Sequence, residues 1–153
     1  MDIAEFLSPE CIATGIRASS KRRVLELLAE ALAKGDPGLN TQQVFDGLLA
    51  RERLGGTGLG KGIALPHSRM KGGQRVIGAF LQLTKGIAFD AIDNATVDLF
   101  FALVVPDQAT DEHLRILAHL ARMFSDSELR QCLREAQGAV AIHKLITTWQ
   151  PSE

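Results

Sequence analysis

His67 is the side chain in this sequence with the clearest prospect of chemistry. It follows Pro66 and the short apolar run IALP at residues 63–66, which we expect to form a strand. Because a proline ring fixes the chain direction, the imidazole should be held at the edge of a sheet and remain reachable. A neutral imidazole can act as a nucleophile or a metal ligand. A lone histidine is more often structural, so the residues around His67 must show whether it is a nucleophile, a metal ligand or a structural residue.

The segment GGTGLGKG at residues 55–62 is predicted to be a loop, because it holds five glycines in eight residues. Gly55, Gly60 and Lys61 match most of the phosphate-binding P-loop pattern. However, Gly62 stands where a serine or threonine must hold magnesium. The predicted order of helix, loop and strand is also the reverse of a P-loop, and no G-x-G-x-x-G dinucleotide fingerprint is present. The segment is either a flexible turn or a backbone that approaches an anion with its N–H groups.

His113 and Arg51 are the other candidates for a site at His67. His113 opens the helix that follows the long strand, so it could face the same sheet edge. The two histidines could begin a metal site, but no third ligand stands at a clear spacing, and we predict no metal. Arg51 and Arg53 precede the glycine segment, where arginines are usually solvated, although a guanidinium there could approach a bound anion.

The remaining histidines and basic residues are expected to have no functional role. His119 lies about 240° around its helix from His113, assuming about 100° per residue. His143 should be a surface or satisfied core residue. We expect the basic cluster to be the solvated start of a helix; it comprises Arg17, Lys21, Arg22 and Arg23.

Composition indicates one soluble domain over residues 1–153. The chain is 46% hydrophobic, and its 17 lysines and arginines nearly balance 18 acidic residues, for a net charge of -1. That balance argues against nucleic-acid binding through phosphate neutralisation. Cys11 and Cys132 are far apart and form no metal motif. The start of the chain lacks the pattern of a secretory signal, and no run approaches the ~20 apolar residues of a membrane span. We therefore expect a cytoplasmic protein without membrane insertion.

Apolar periodicity predicts helices at both ends of the chain. The first two are expected at residues 21–34, after Ser19 or Ser20 as cap, and at 41–54. Three more are expected at residues 111–126, at 125–136 with Ser125 or Ser127 as cap, and at 138–149. The helix at 111–126 has an apolar stripe that comprises Leu114, Leu117, Ala118, Ala121 and Phe124.

The middle of the chain is predicted to form strands at residues 63–66, 75–84, 87–89 and 96–106. The last strand is apolar on both alternating faces, which indicates a central strand covered by helices on both sides. The fold class is therefore α/β (α+β), with a mixed sheet of about five strands between helical layers.

Residues 51–69, RERLGGTGLGKGIALPHSR, resemble the active-site signature of the enzyme IIA proteins of the bacterial phosphotransferase system, in the fructose, mannitol and nitrogen-regulatory branches. The signature positions are filled by Glu52, Leu59, Gly60, Ile63, Ala64, Leu65, Pro66 and His67. Ser68 departs from the pattern, which usually has glycine there. Similarity continues through LSPECI, IAFDAIDNATVDLFFALVVP and DEHLRIL, and the middle stretch most resembles the nitrogen-regulatory branch.

This resemblance implies a signalling protein in which His67 is the phosphorylated nucleophile. His113 would stabilise the phosphoryl group and Arg51 its charge. Supporting phosphate contacts are implied for Thr57, Gly58, Gly60 and Ser68. The donor would be an HPr-like phosphocarrier protein (NPr), with no cofactor. Phosphorylation would regulate targets such as transporters or sensor kinases. The alternatives are transfer to a sugar-transport IIB protein, or a binding module that has lost the chemistry.

Overall fold

The computed structural model describes residues 2–72, 75–108 and 110–151. In these residues the chain forms five α-helices, six strands and two short 3₁₀ turns at Ile3–Glu5 and Pro9–Cys11. In chain order the elements are β1 (Ile12–Ile16), α1 (Lys21–Lys34), α2 (Thr41–Leu54), β2 (Gly58–Gly60), β3 (Ile63–Ala64), β4 (His67–Met70), β5 (Ile77–Ile87), β6 (Val97–Pro106), α3 (Thr110–Phe124), α4 (Ser127–Glu135) and α5 (Ala139–Thr148).

All six strands belong to one mixed sheet. Its order is β1-β5-β6-β3-β2, and β4 pairs with β6 further along the edge that β3 occupies. The β1–β5, β3–β6 and β4–β6 pairs are parallel, whereas β5–β6 and β2–β3 are antiparallel. The prediction of a mixed sheet is confirmed, with one strand more than expected.

Helices cover both faces of the sheet, as the sequence predicted. One core cluster packs α1 and α2 on the sheet, and a second packs α3, α4 and α5 on the opposite face. Strand β6 contributes Phe100 to the first cluster and Phe101 to the second, and both rings are fully buried. Strand β6 is the centre of the fold because it contributes to both core clusters. Truncating either ring to alanine would typically cost about 3–5 kcal/mol.

Side-chain caps were predicted for two helices, and the structure confirms the prediction for α1 but not for α4. The Ser20 hydroxyl accepts a hydrogen bond from the Arg23 N–H at the start of α1, which selects between the two predicted caps. At the start of α4 the prediction of Ser125 or Ser127 is wrong. Instead, Oδ1 of Asp126 accepts from the N–H groups of both Glu128 and Leu129, and Oδ2 accepts from Trp149 Nε1 at 2.9 Å.

The strand predictions need three corrections. Residues 55–62 are not entirely loop, since β2 forms within them and pairs with β3. Residues 87–89 are not a separate strand, because β5 runs on without interruption to Ile87. Both β1 and β4 were missed. Strand β4 has the sequence HSRM, which carries no apolar alternation, and its strand conformation depends on pairing with β6.

The predicted stripe of α3 is wrong in part: Phe124 is buried as expected and Leu117 packs half-buried against the core, but Leu114 and Ala118 are exposed. Leu114 is 61% exposed, whereas the buried face carries His113, Ile116, Leu120, Met123 and Phe124. The two stripes lie side by side on the helix, and both contain enough apolar residues to satisfy a period of 3.6. The actual orientation turns His113 towards the sheet.

Candidate functional site

Strand β4 brings His67 to the sheet edge beside the centre of the fold. His67 pairs with Leu103 of β6, and the following residues continue that parallel register. Side chains alternate along a strand, so His67 and Ser68 face opposite sides of the sheet. His67 faces α3, and its ring centroid lies 5.2 Å from that of His113. The structure therefore brings the two predicted histidines together.

One hydrogen bond determines the tautomer of His67. Its Nδ1 atom lies 2.8 Å from the carbonyl oxygen of Leu65. A carbonyl can only accept, so Nδ1 must carry the proton, and in the neutral ring Nε2 keeps its lone pair. The imidazole is only partly buried, and Nε2 is thus set up as a nucleophile or ligand.

His113 is more deeply placed and has an unsatisfied polar atom. Only 5% of the residue is exposed, and its Nδ1 atom is buried without a hydrogen-bond partner among the described residues. Leaving such an atom unpaired usually costs about 1–3 kcal/mol. Buried polar groups of this kind are uncommon in native proteins and are often associated with function.

Burial and nearby cations lower the pKa of both histidines below the ordinary value of 6.5. For His67, burial is the main cause; the Leu65 carbonyl and Glu52 oppose it, while Arg51 and Arg69 add to it. For His113, burial again leads, followed by the charges of His67, Arg69 and Arg51. Both rings are therefore neutral at neutral pH, which is the form that a nucleophile requires.

Two arginines supply positive charge to this pair of rings. Arg51, in the last turn of α2, donates from Nη1 to the Gly55 carbonyl at 2.7 Å. The rest of its guanidinium makes no hydrogen bond within the described part of the chain. Arg69 lies two residues beyond His67 on the same face of β4. The sequence reasoning missed Arg69, and the signal that could have found it is the i, i+2 spacing of a strand.

The donors of Thr57 are already engaged. Both its N–H, at 3.3 Å, and its hydroxyl donate to the buried carboxylate of Glu52. A threonine hydroxyl has a single hydrogen, so neither group remains for the direct phosphate contact that the resemblance implied. Thr57 is buried beneath the site instead of lining it.

Gly58, Gly60 and Ser68 also have other neighbours. A β-carbon on Gly58 would lie 2.8 Å from the Ala91 α-carbon, so glycine is needed there for packing. Gly60 has a φ of 93° and faces the Asp93 carboxylate, which would repel an anion. The Ser68 hydroxyl donates to the Arg69 carbonyl at 3.3 Å on the α2 side of the sheet. The structure thus groups His67, His113 and Arg51 and gives the side chains of Thr57 and Ser68 other partners, while contacts from the N–H groups of Gly58 and Gly60 stay a prediction.

The residues expected to be structural are placed as follows. His143 bonds the Leu7 carbonyl through Nε2 at 2.9 Å, and the His119 ring packs edge-on against Trp149. Lys21 corrects the prediction of a solvated helix start, because it pairs with Glu52 and Asp90 at 3.1 Å each. Arg22 and Arg23 are exposed as predicted.

Two wider properties bear on the kind of site. Within the described ranges, no group of three or more histidine, cysteine, aspartate or glutamate side chains could hold a metal ion. The helices of those ranges also include none that is long and apolar enough to cross a bilayer.

Comparison with known proteins identifies the family of the chain. Residues 5–149 match the family described as "Phosphoenolpyruvate-dependent sugar phosphotransferase system, EIIA 2". The chain belongs to this EIIA 2 family. The EIIA 2 relatives include the "Nitrogen regulatory protein" of Pseudomonas aeruginosa, which is 41% identical over 148 residues and covers 97% of this chain and 96% of its own.

Solved structures of two IIA proteins have the same fold. The nitrogen regulatory protein IIA-Ntr from Neisseria meningitidis superposes with a TM-score of 0.89 at 38% identity, over 95% of this chain and 99% of that one. The IIA mannitol protein of Escherichia coli shares the fold with a TM-score of 0.75 at 21% identity, over 91% and 97% of the two chains. As a member of the EIIA 2 family, the chain is a phosphotransfer component.

Proposed function

We propose that this protein carries a phosphoryl group on Nε2 of His67 and regulates other proteins through its phosphorylation state. The observation that supports this proposal most is the 2.8 Å contact between His67 Nδ1 and the Leu65 carbonyl. It leaves Nε2 with a lone pair on a partly exposed ring. The lowered pKa of His67, caused first by burial, keeps that lone pair unprotonated at neutral pH.

The reaction is an exchange between two imidazoles. Nε2 of His67 attacks the phosphorus of a phosphohistidine on an HPr-like phosphocarrier protein (NPr). The P–N bond of the donor breaks as its electron pair returns to the donor ring, while Nδ1 of His67 keeps its proton. Because one imidazole replaces another, the step is close to balanced, and it requires neither a general base nor a nucleotide.

Arg51 and His113 would stabilise the transferred group. Phosphoryl transfer asks a protein mainly for positioning and charge stabilisation. The guanidinium of Arg51 has donors to spare beyond its bond to Gly55. The buried Nδ1 of His113 has no partner among the described residues, which is consistent with a side chain that is completed only when the phosphoryl group arrives.

The regulatory role is supported by relatives that are named nitrogen regulatory protein across nearly the whole chain. A phosphoryl group adds a charge of about −1.5 to −2 and three strong acceptor oxygens. That change at His67 would alter how protein targets in the cytoplasm, such as transporters or sensor kinases, recognise this surface. Recognition of nucleic acid is not part of the proposal, because the net charge is -1.

Intact-mass analysis after incubation with a phosphorylated NPr-type donor tests the assignment of His67. The wild type should gain one phosphoryl group and His67→Ala none, whereas His119→Ala serves as a control that should still be labelled. Labelling of His67→Ala equal to that of wild type would contradict the site. A protein that takes up no phosphate would instead be a binding module that has lost the chemistry.

A second assay separates regulation from sugar transport. The phosphorylated protein is mixed with purified IIB proteins and their sugars. Transfer to a IIB protein should be slow or absent if the phosphorylated state is itself the signal. Rapid onward transfer to a sugar would favour the transport role.

A further inference from the structure

Glu52 is a buried carboxylate directly beneath the proposed site. Its side chain is 2% exposed and lies in the last turn of α2. It accepts from the Thr57 N–H at 3.3 Å and from the Thr57 hydroxyl, and it pairs with Lys21 Nζ at 3.1 Å. A carboxylate is costly to bury unless it is paired and hydrogen-bonded, and these contacts meet that requirement.

Two further hydrogen bonds continue from Thr57 to the nucleophile. The Thr57 carbonyl accepts from the Leu65 N–H at 3.1 Å. The Leu65 carbonyl in turn accepts from His67 Nδ1 at 2.8 Å. Glu52, Thr57, Leu65 and His67 therefore form an unbroken chain of hydrogen-bonded residues. Each member fixes the position of the next one.

We propose that Glu52 is a positioning residue for His67. Glu52 holds Thr57, and Thr57 in turn holds the Leu65 carbonyl that keeps the proton on Nδ1. The inference rests on the proposed role of Nε2 as nucleophile. Without a fixed carbonyl, the proton of a neutral imidazole can move to Nε2 and remove the lone pair that attacks phosphorus. Glu52 itself does not touch the transferred group.

Lys21 completes this chain at its far end. Burial opposes its charge, but hydrogen bonds to Glu52 and Asp90 outweigh burial and raise its pKa, so the ammonium stays charged beside the carboxylate. Its Nζ also lies 4.7 Å from the centre of the Phe89 ring. Lys21 thereby ties the first turn of α1 to the end of α2, and its Nζ shares Oε2 of Glu52 with the Thr57 N–H.

The tautomer of His67 in the unphosphorylated protein tests this inference. The protein is labelled with ¹⁵N in its histidine rings, and the nitrogen shifts of His67 are recorded at about pH 8, above the imidazole range. Wild type should show the proton on Nδ1. Glu52→Gln turns one acceptor oxygen into a donor group, and should raise the Nε2–H population roughly three- to tenfold, the factor that corresponds to one net hydrogen bond.

Glu30→Gln is the matched control, since Glu30 is exposed on α1 and outside this chain of contacts. It should leave the tautomer unchanged. If Glu52→Gln lowers folding stability but leaves the His67 tautomer as in wild type, Glu52 is only structural and the inference is overturned. That result would not affect the proposed function, because labelling of His67 by the donor is a separate measurement.

Thr57 variants decide the matter if Glu52→Gln does not fold. Thr57→Val removes the hydroxyl that donates a hydrogen bond to Glu52, and should raise the Nε2–H population of His67 as Glu52→Gln does. Thr57→Ser keeps the hydroxyl and should behave as wild type. With phosphorylated donor, Thr57→Val should lower kcat in proportion to the fraction of the Nδ1–H tautomer that the variant loses, with KM unchanged. Equal tautomer populations in Thr57→Val and Thr57→Ser would refute the inference.

Discussion

Gly47 and Ser68 meet where α2 packs on β4, next to the proposed nucleophile, and a methyl group at Gly47 tests that contact. A β-carbon at Gly47 would overlap the Ser68 hydroxyl oxygen and lie 3.2 Å from the Ser68 β-carbon. Ser68 is 5% exposed, so its hydroxyl has little room to move. The departure from glycine at position 68 is therefore accommodated by the missing side chain at Gly47.

Two opposing terms determine the effect of Gly47→Ala. Alanine in a helix interior is favoured over glycine by about 1 kcal/mol. Overpacking against Ser68 costs about 1–3 kcal/mol. With Ser68 present, the net result should be no gain or a loss of up to about 2 kcal/mol in the free energy of unfolding, from the difference of these terms. With Ser68→Ala only the contact between β-carbons remains, and Gly47→Ala should stabilise by up to about 1 kcal/mol.

Urea unfolding of wild type, both single variants and the double variant measures the coupling. The cycle should give an interaction energy of about 1–3 kcal/mol, the size of the overpacking term. An equal effect of Gly47→Ala in both backgrounds would refute the reasoning. In that case the restriction at Gly47 would not come from Ser68.

Three further predictions concern the histidines. Because burial lowers the pKa of His67, phosphoryl acceptance should stay constant as pH falls to about 6.5 and decline only below it; a pH profile of kcat/KM with a midpoint at or above that value would contradict this. His113→Leu should slow acceptance on the order of 10²-fold in an intact-mass time course, without loss of stability, and a rate near wild type would exclude the proposed role. Since folding lowers the pKa of both histidines, their contribution to folding stability should be fully present above about pH 6.5 and should be lost as pH falls through the two folded-state pKa values. Urea unfolding midpoints should show this loss, with a shallower decline in His113→Leu.

The sequence could predict the helices and the central strand because their signals are local. Strand β6 is apolar on both faces from Leu99 to Val105, a pattern typical of a central strand and not of an amphipathic helix. Strand β4 could not be recognised in the same way. Its residues are mostly polar, and they are extended because β6 offers a free edge beyond β3, which is a property of the assembled sheet.

The same limit explains which site residues the sequence could place. His67 and His113 were found because one follows a proline and the other begins a helix, and both features are visible in the sequence. Thr57 and Ser68 were expected to contact phosphate because one lies within the signature and the other directly follows it. Their directions are decided by the buried carboxylate of Glu52 and by the alternation of β4, and neither can be known before the strand is assigned.

The charges of Arg51 and Arg69 act both before and after the proposed phosphoryl transfer. Before transfer, their charges help to lower the pKa of His67 and His113, which keeps the nucleophile neutral. After transfer, the same charges would face a phosphoryl group with a charge of about −1.5 to −2. A lysine network could not serve both purposes equally, because an ammonium near other cations loses its proton more readily than a guanidinium does. The positive field that disfavours a proton on the ring is therefore also the field that favours the phosphoryl group there.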